Sequence, residues 1–220
     1  MRYQSLTTIA LLLAVLLVSG CATAPGYDYS AYRADPPRSI LVLPPINNTV
    51  EVDAPYVYIS TVTRPLAEAG YYVYPVAVVD AFMKENGLPD PAEMQSVPLD
   101  KIDEVIGPDA VLYTTIEQWG QKYRVLSSDT TVEVKARLID TDTGVLLWDG
   151  SAHAVEGSGN GQGGLLAAVI VALVDQIVDT TADRSHEVAR QANFNMVSNS
   201  QTGLPLGPYN PEHVTDPRRQ

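Results

Sequence analysis

The fold is decided by residues 130–139, which read TTVEVKARLI. Apolar side chains share one side of this stretch when it is extended: Val132, Val134, Ala136 and Leu138. Charged side chains take the other side: Glu133, Lys135 and Arg137. A period of two predicts a strand with one face on a core and the other in water. The charged face also argues against a membrane barrel, because a lipid-facing charge near the bilayer centre costs about 2–4 kcal/mol.

The sequence on either side of this strand extends it into a sheet. Residues 140–144, DTDTG, supply turn residues, and VLLW at 145–148 runs back as the hairpin partner. SILVLPP at 39–45 is a continuous apolar run closed by prolines, as expected of a strand buried on both faces. Because helical periods fill most of the intervening chain, the sequence predicts one α/β domain over residues 39–195, with a mixed sheet and flanking helices.

Residues 1–20 have the layout of a secretory signal peptide: a basic start at Arg2, an apolar run, and small residues at its end. The sequence LVSGC at 17–21 resembles the lipobox of bacterial lipoproteins, in which cleavage leaves the cysteine as the lipid-bearing first residue. The resemblance implies lipidation of Cys21. Ala22 follows, rather than the aspartate that retains many lipoproteins at the inner membrane, so we expect an outer-membrane anchor and a domain facing the periplasm.

Both ends of the mature chain lack a clear period. Residues 21–38 are rich in proline, glycine and tyrosine, which predicts a lipidated tether reaching about 55 Å when extended. The segment contains three tyrosines that we interpret either as solvated linker residues or as residues that dock on a partner: Tyr27, Tyr29 and Tyr32. Asparagine, glycine and proline dominate the end of the chain, so residues 196–220 are predicted to be an irregular tail.

The composition of the chain excludes some classes of binding partner. The net charge of −12 argues against nucleic acid and against an anionic membrane surface as a broad partner. Acyl chains on Cys21 are therefore the expected means of membrane attachment, because each methylene buried in the bilayer contributes about 0.8 kcal/mol to the free energy of binding. Cys21 is also the chain's single cysteine, which excludes an internal disulfide.

Three segments carry a family resemblance: PLAEAGYYV at 65–73, DAVLY at 109–113, and ARLID at 136–140 leading to TGVLLWDG at 143–150. Together they resemble a family of bacterial lipoproteins typified by a genome-derived Neisseria antigen, over roughly residues 17–195. More distantly, the hairpin is similar to that of CsgG-type secretion lipoproteins. The resemblance implies a fold like the amino-terminal domain of TolB. Family members tend to be encoded beside a CsgG-like lipoprotein, which implies an envelope assembly.

No pattern in the sequence predicts a catalytic residue, a cofactor or a metal. The glycines at 159, 161 and 164 match G-x-G-x-x-G in spacing, but they follow the last strand, whereas a dinucleotide site needs them after the first. The three histidines at 153, 186 and 213 share no ligand spacing with carboxylates. We therefore predict a protein without enzymatic activity.

The function predicted from sequence is a protein-binding component of a multi-lipoprotein assembly, with a CsgG-like partner and a homodimer as candidate contacts. A flexible glycine stretch is the first candidate contact surface: Gly157, Gly159, Gly161 and Gly163. An exposed edge of the mixed sheet is the second, since open edges invite strand addition. Trp148 fits either an exposed partner anchor or a core aromatic packed on the last helix, and the general burial preference favours the core position. Two alternatives stay open: a lipid or solute carrier built around the apolar residues 165–178, and an enzyme of envelope maintenance.

Overall fold

The computed structural model describes residues 26–124, 127–157 and 181–219. Six strands form one sheet: β1 Ser39–Val42, β2 Ile46–Asn47, β3 Tyr72–Val73, β4 Ala110–Arg124, β5 Ser127–Asp140 and β6 Leu146–Gly157. The order is β3-β1-β4-β5-β6, and β2 pairs with the later part of β4. Because β1 and β2 run parallel to β4 while β5 and β6 are antiparallel, the predicted mixed sheet is confirmed.

Six α-helices are described: α1 Ser30–Ala34, α2 Ala54–Glu68, α3 Val76–Glu85, α4 Pro91–Gln95, α5 Leu99–Val105 and α6 Thr181–Ser198. Local sequence signals set several of their ends. The Asp90 carboxylate accepts the backbone N–H of Ala92 at 2.8 Å and so caps α4. Gly87 follows α3 with φ +86°, a left-handed conformation that ends a helix most easily at glycine.

One side of the sheet, the covered face, is buried across four of its strands. It presents the following side chains: Ile40, Val42, Ala110, Leu112, Ile116, Val132, Val134, Ala136, Leu138, Trp148 and Ala152. Helices α2 and α6 pack on it through Tyr58, Leu66, Ala192 and Met196, among others. The Asn193 side-chain amide of α6 donates to the Thr61 hydroxyl of α2 at 2.9 Å, which fixes the two helices relative to each other.

The opposite side of the sheet is covered only in part. Leu41, Leu43 and Val111 form a smaller core there with side chains of α3, α4 and α5. Those helices lie over β1 and the beginning of β4. The rest of that side, formed by β4, β5 and β6, is the open face.

The N-terminal segment differs from the predicted tether over residues 21–38. Within its described part, Tyr29 and Tyr32 are buried on the domain, and α1 spans Ser30–Ala34. The Tyr29 hydroxyl donates to the Gly203 carbonyl at 2.6 Å, and the Tyr32 and Tyr71 hydroxyls are 2.6 Å apart. These partners lie far away in sequence, so the local pattern of the segment does not reveal them. Residues 21–25 lie outside the described residues.

The chain after Ser198 is largely irregular and packs on the domain. Helix α6 runs to Ser198, three residues past the predicted end of the domain. Leu204 is buried, and the Asp216 side chain is 1% exposed and pairs with Arg218 at 2.8 Å. The Arg219 guanidinium donates to the Tyr32 hydroxyl at 3.1 Å, so this tail holds α1 in place.

Among the described residues, no helix has both the length and the apolar character needed to cross a membrane.

A candidate protein-binding face

The open face carries polar and charged side chains in ordered rows. Tyr113, Arg137 and Asp149 are paired in register across β4, β5 and β6, and Thr115, Lys135 and Ser151 form the next row. The alternation of β5 produces this arrangement, because the residues between the buried ones must point outward. The sheet thus provides a rigid platform for these side chains.

A depression of about 790 Å³, the sheet groove, lies on this platform. Its floor includes Tyr113, Lys135 and Arg137, and its rim includes Gln95 and Tyr27. The Gln95 side-chain amide donates to the carbonyls of Pro44 and Thr114 at 2.8 and 2.9 Å, which ties the end of α4 to the sheet. One wall of the groove is therefore fixed to its floor.

Two carboxylates of the open face, Glu117 and Glu133, lie beside a bulge in β4. The register with β5 shifts between Ile116 and Gln118, and Glu117 pairs with Lys135 at 3.3 Å. The hydrogen bond from the Asn48 side chain, followed by that from Lys135, lowers the pKa of Glu117. Beside this pair, the Gln118 amide donates to Glu133. Both carboxylates are thus held by neighbouring polar groups.

Arg137 is the cation of the groove that has no acidic partner. Within the described part of the chain it forms no ion pair, although Asp149 is its cross-strand neighbour. The Tyr113 ring lies beside it on β4. Partial burial raises the pKa of Tyr113, and the positive charge of Arg137 opposes that rise. Arg137 is thus available to an anionic group entering the groove.

Asp149 is engaged by the N-terminal segment. The Tyr27 hydroxyl donates to its carboxylate at 2.8 Å and accepts its backbone N–H at 2.8 Å. Burial raises the pKa of Tyr27 and outweighs the backbone hydrogen bond, which lowers it. Burial also raises the pKa of Tyr29, to about 12. Both tyrosines therefore stay neutral at physiological pH.

The polar groups of the groove are arranged in rows across the strands. The groove is open to solvent, and its polar groups do not converge on one point. Among the residues whose positions are described, no three histidine, cysteine or acidic side chains are grouped to hold a metal ion.

The structure changes the list of predicted contact residues. Trp148 is fully buried and its indole N–H donates to the Thr202 carbonyl at 2.9 Å, so of its two interpretations it is the core aromatic and not an exposed anchor. Gly157 ends β6 opposite Asp129. Gly159, Gly161 and Gly163 lie outside the described residues, as do Cys21 and residues 165–178.

The residues of the sheet groove were not predicted as a site. The alternation in β5 did indicate that Lys135 and Arg137 face water, which the structure bears out. Their association with Tyr27 and Gln95 depends on how α4 and the N-terminal segment pack. No spacing in the sequence carries that information.

The chain is similar to known proteins in both sequence and fold. Over residues 27–209 the chain matches a family model described as "Putative lipoprotein GNA1162-like". The chain belongs to this lipoprotein family. The match includes all three segments that carried the resemblance in the sequence, which is therefore confirmed. Membership implies that these proteins are held at a membrane by lipid.

Two members of the GNA1162-like family show how far the similarity extends. The Neisseria meningitidis serogroup B lipoprotein NMB1124/NMB1162 is 42% identical over 200 residues, which span 90% of this chain and 93% of its own. The crystal structure of lipoprotein GNA1162 from Neisseria meningitidis is 44% identical, covers 64% of this chain and 97% of its own, and has a TM-score of 0.54. Neither name states an enzymatic activity.

Proposed function

We propose that this protein is a non-enzymatic outer-membrane lipoprotein, anchored through Cys21 and facing the periplasm, that binds other proteins in a multi-lipoprotein envelope assembly. The open face of the sheet is the observation that supports this proposal. Three long strands present a rigid, solvated surface with a groove, and no described element covers it. A solvated sheet face with mixed charge offers hydrogen bonds and ion pairs to a partner, as the polar parts of protein interfaces do.

The edge of the sheet adds a second means of contact. In the described residues β6 pairs only with β5, so its other side has backbone groups available for strand addition. A CsgG-like lipoprotein is our first candidate partner, on the resemblance of the hairpin at 136–150. A second copy of this chain is the other candidate, since self-association is common among soluble proteins.

Site-specific crosslinking in intact cells tests the open face. A photoreactive residue at the exposed Ser151 should crosslink envelope proteins that mass spectrometry identifies repeatedly. The matched control carries it at Glu85, which is exposed at the end of α3 outside the groove. Equal products from both positions, or none from Ser151, would reject the open face as the binding surface.

The anchor has a separate test. Replacing Cys21 with serine removes the thiol that carries the lipid, so the variant should leave the membrane fraction and lose its signal from lipid labelling. Full retention in the membrane fraction would reject lipidation of Cys21 as the means of attachment.

A further inference from the structure

The docked N-terminal segment limits the distance between the sheet groove and the lipid anchor. Tyr27 is fixed to Asp149 by two hydrogen bonds, and the buried Tyr29 and Tyr32 fix the residues that follow. Residues after Tyr27 are therefore part of the domain and add nothing to its reach.

Only the chain from Cys21 to Tyr27 remains as a spacer. Whatever its conformation, six residues span at most about 20 Å at roughly 3.3–3.6 Å each. Tyr27 lines the rim of the sheet groove. If Cys21 bears the lipid, as the proposed function holds, the groove lies beside the anchor and its rim is within about 20 Å of it.

The charge of the groove indicates what it receives. The chain as a whole is acidic, with a net charge of −12. Within the groove, however, Glu117 forms an ion pair with Lys135 and accepts a hydrogen bond from Asn48, and the Asp149 carboxylate accepts the Tyr27 hydroxyl instead of pairing with Arg137. Arg137 is left without an ion pair in the described part of the chain. A carboxylate is the complementary group, because an arginine binds its two oxygens in a fixed geometry.

We propose that the sheet groove binds an extended acidic segment of another protein fixed to the same membrane, with a carboxylate on Arg137. This inference rests on the proposed function and narrows it. The segment lies near the point where the partner enters the membrane, since only that part stays within reach of a groove held so close to the anchor. Extended chain suits a shallow groove on a sheet face, where cross-strand rows provide side-chain contacts at regular spacing.

The test maps crosslinks on the acylated full-length protein in cells. A photoreactive residue replaces Ser151, and mass spectrometry identifies both the partner and the crosslinked peptide. We expect an acidic peptide that follows an acylated cysteine or flanks a membrane-inserted region. Arg137→Glu should lower the yield about tenfold. Lys101→Glu, which reverses an exposed cation on α5, should leave the yield unchanged.

Every other outcome rejects either this inference or the proposed function. Crosslinks to a partner region remote from its membrane attachment, to a second copy of this chain, or at undiminished yield in Arg137→Glu would overturn the inference and leave the proposed function standing. Failure to capture any envelope protein from Ser151 would reject the proposed function itself. Both charge variants lie on the surface, and thermal unfolding confirms that each is folded before yields are compared.

Discussion

The covered and open faces of the sheet are made by alternate residues of the same strands, yet they follow different chemistry. On β5, Val134 and Leu138 are fully buried, whereas the Lys135 side chain between them is 64% exposed. The covered face is filled by helices α2 and α6 and excludes water. The open face keeps its charges solvated. Burial differs sharply between adjacent residues. Substitutions on the covered face should therefore change the stability of the domain, and substitutions on the open face should change partner binding.

The largest effect is expected on the covered face. Trp148→Ala should reduce the free energy of unfolding by about 3–5 kcal/mol, because it leaves a cavity and removes the indole hydrogen bond to Thr202. The control is His153→Ala on the open face of the same strand, expected to stay within about 0.5 kcal/mol of wild type. Urea unfolding measures both. Similar losses in the two variants would remove the distinction between the faces.

A smaller effect is expected where the tail closes over the N-terminal segment. Asp216 is held by Arg218 and by the Leu206 N–H at 2.6 Å. Burial raises its pKa, but these hydrogen bonds outweigh burial and lower it overall. Asp216→Asn should cost roughly 1.5–3 kcal/mol at pH 7, measured by urea unfolding. The exposed Asp142→Asn serves as control.

The pH dependence of that cost follows from the sign of the shift. A lowered folded pKa contributes stability that is complete above the ordinary value of about 3.9 and is lost as pH falls through the folded value. The difference between wild type and Asp216→Asn should therefore shrink below about pH 4. A difference that grows with acid would show that the carboxylate is not stabilised in its charged form.

Next in size is the attachment of the N-terminal segment to the rim of the groove. Tyr27→Phe removes the hydroxyl that bridges the Asp149 carboxylate and N–H, so we expect a loss of about 0.5–1.5 kcal/mol. Limited proteolysis should then cut more readily near residue 27, whereas Tyr209→Phe, at a ring 62% exposed, should behave as wild type. Unchanged protection would mean that Tyr29 and Tyr32 suffice to dock the segment.

The smallest effect on stability is expected on the open face. Lys135→Ala breaks the ion pair with Glu117. The Lys135 side chain is 64% exposed and that of Glu117 is 30% exposed, and such pairs contribute about 0–1 kcal/mol to the free energy of unfolding. The pKa of Glu117 should rise towards its ordinary value but stay below it, because the Asn48 hydrogen bond remains. Carbon-detected NMR titration measures that pKa. A shift equal to that in a Lys101→Ala control would exclude Lys135 as a cause.

Local patterns predicted the parts of the molecule that depend on neighbouring residues. The period of two in β5 and the turn after Asp140 each act within a few positions, and the structure has both. The tyrosines of the N-terminal segment were misassigned because the partner of Tyr29 lies 174 positions away. The groove was missed for the same reason, since its rim joins Tyr27 to β6.

The same long separation sets the order in which the chain can complete its fold. Tyr32 finds its partner Arg219 187 positions later, so α1 cannot reach its final packing until that residue has been made. At about 5–20 residues per second, synthesis of this interval takes on the order of 10–40 s. Throughout that time α1 lacks its contact with the C-terminal residues, so the packing of the N-terminal segment is completed only after the end of the chain has been made.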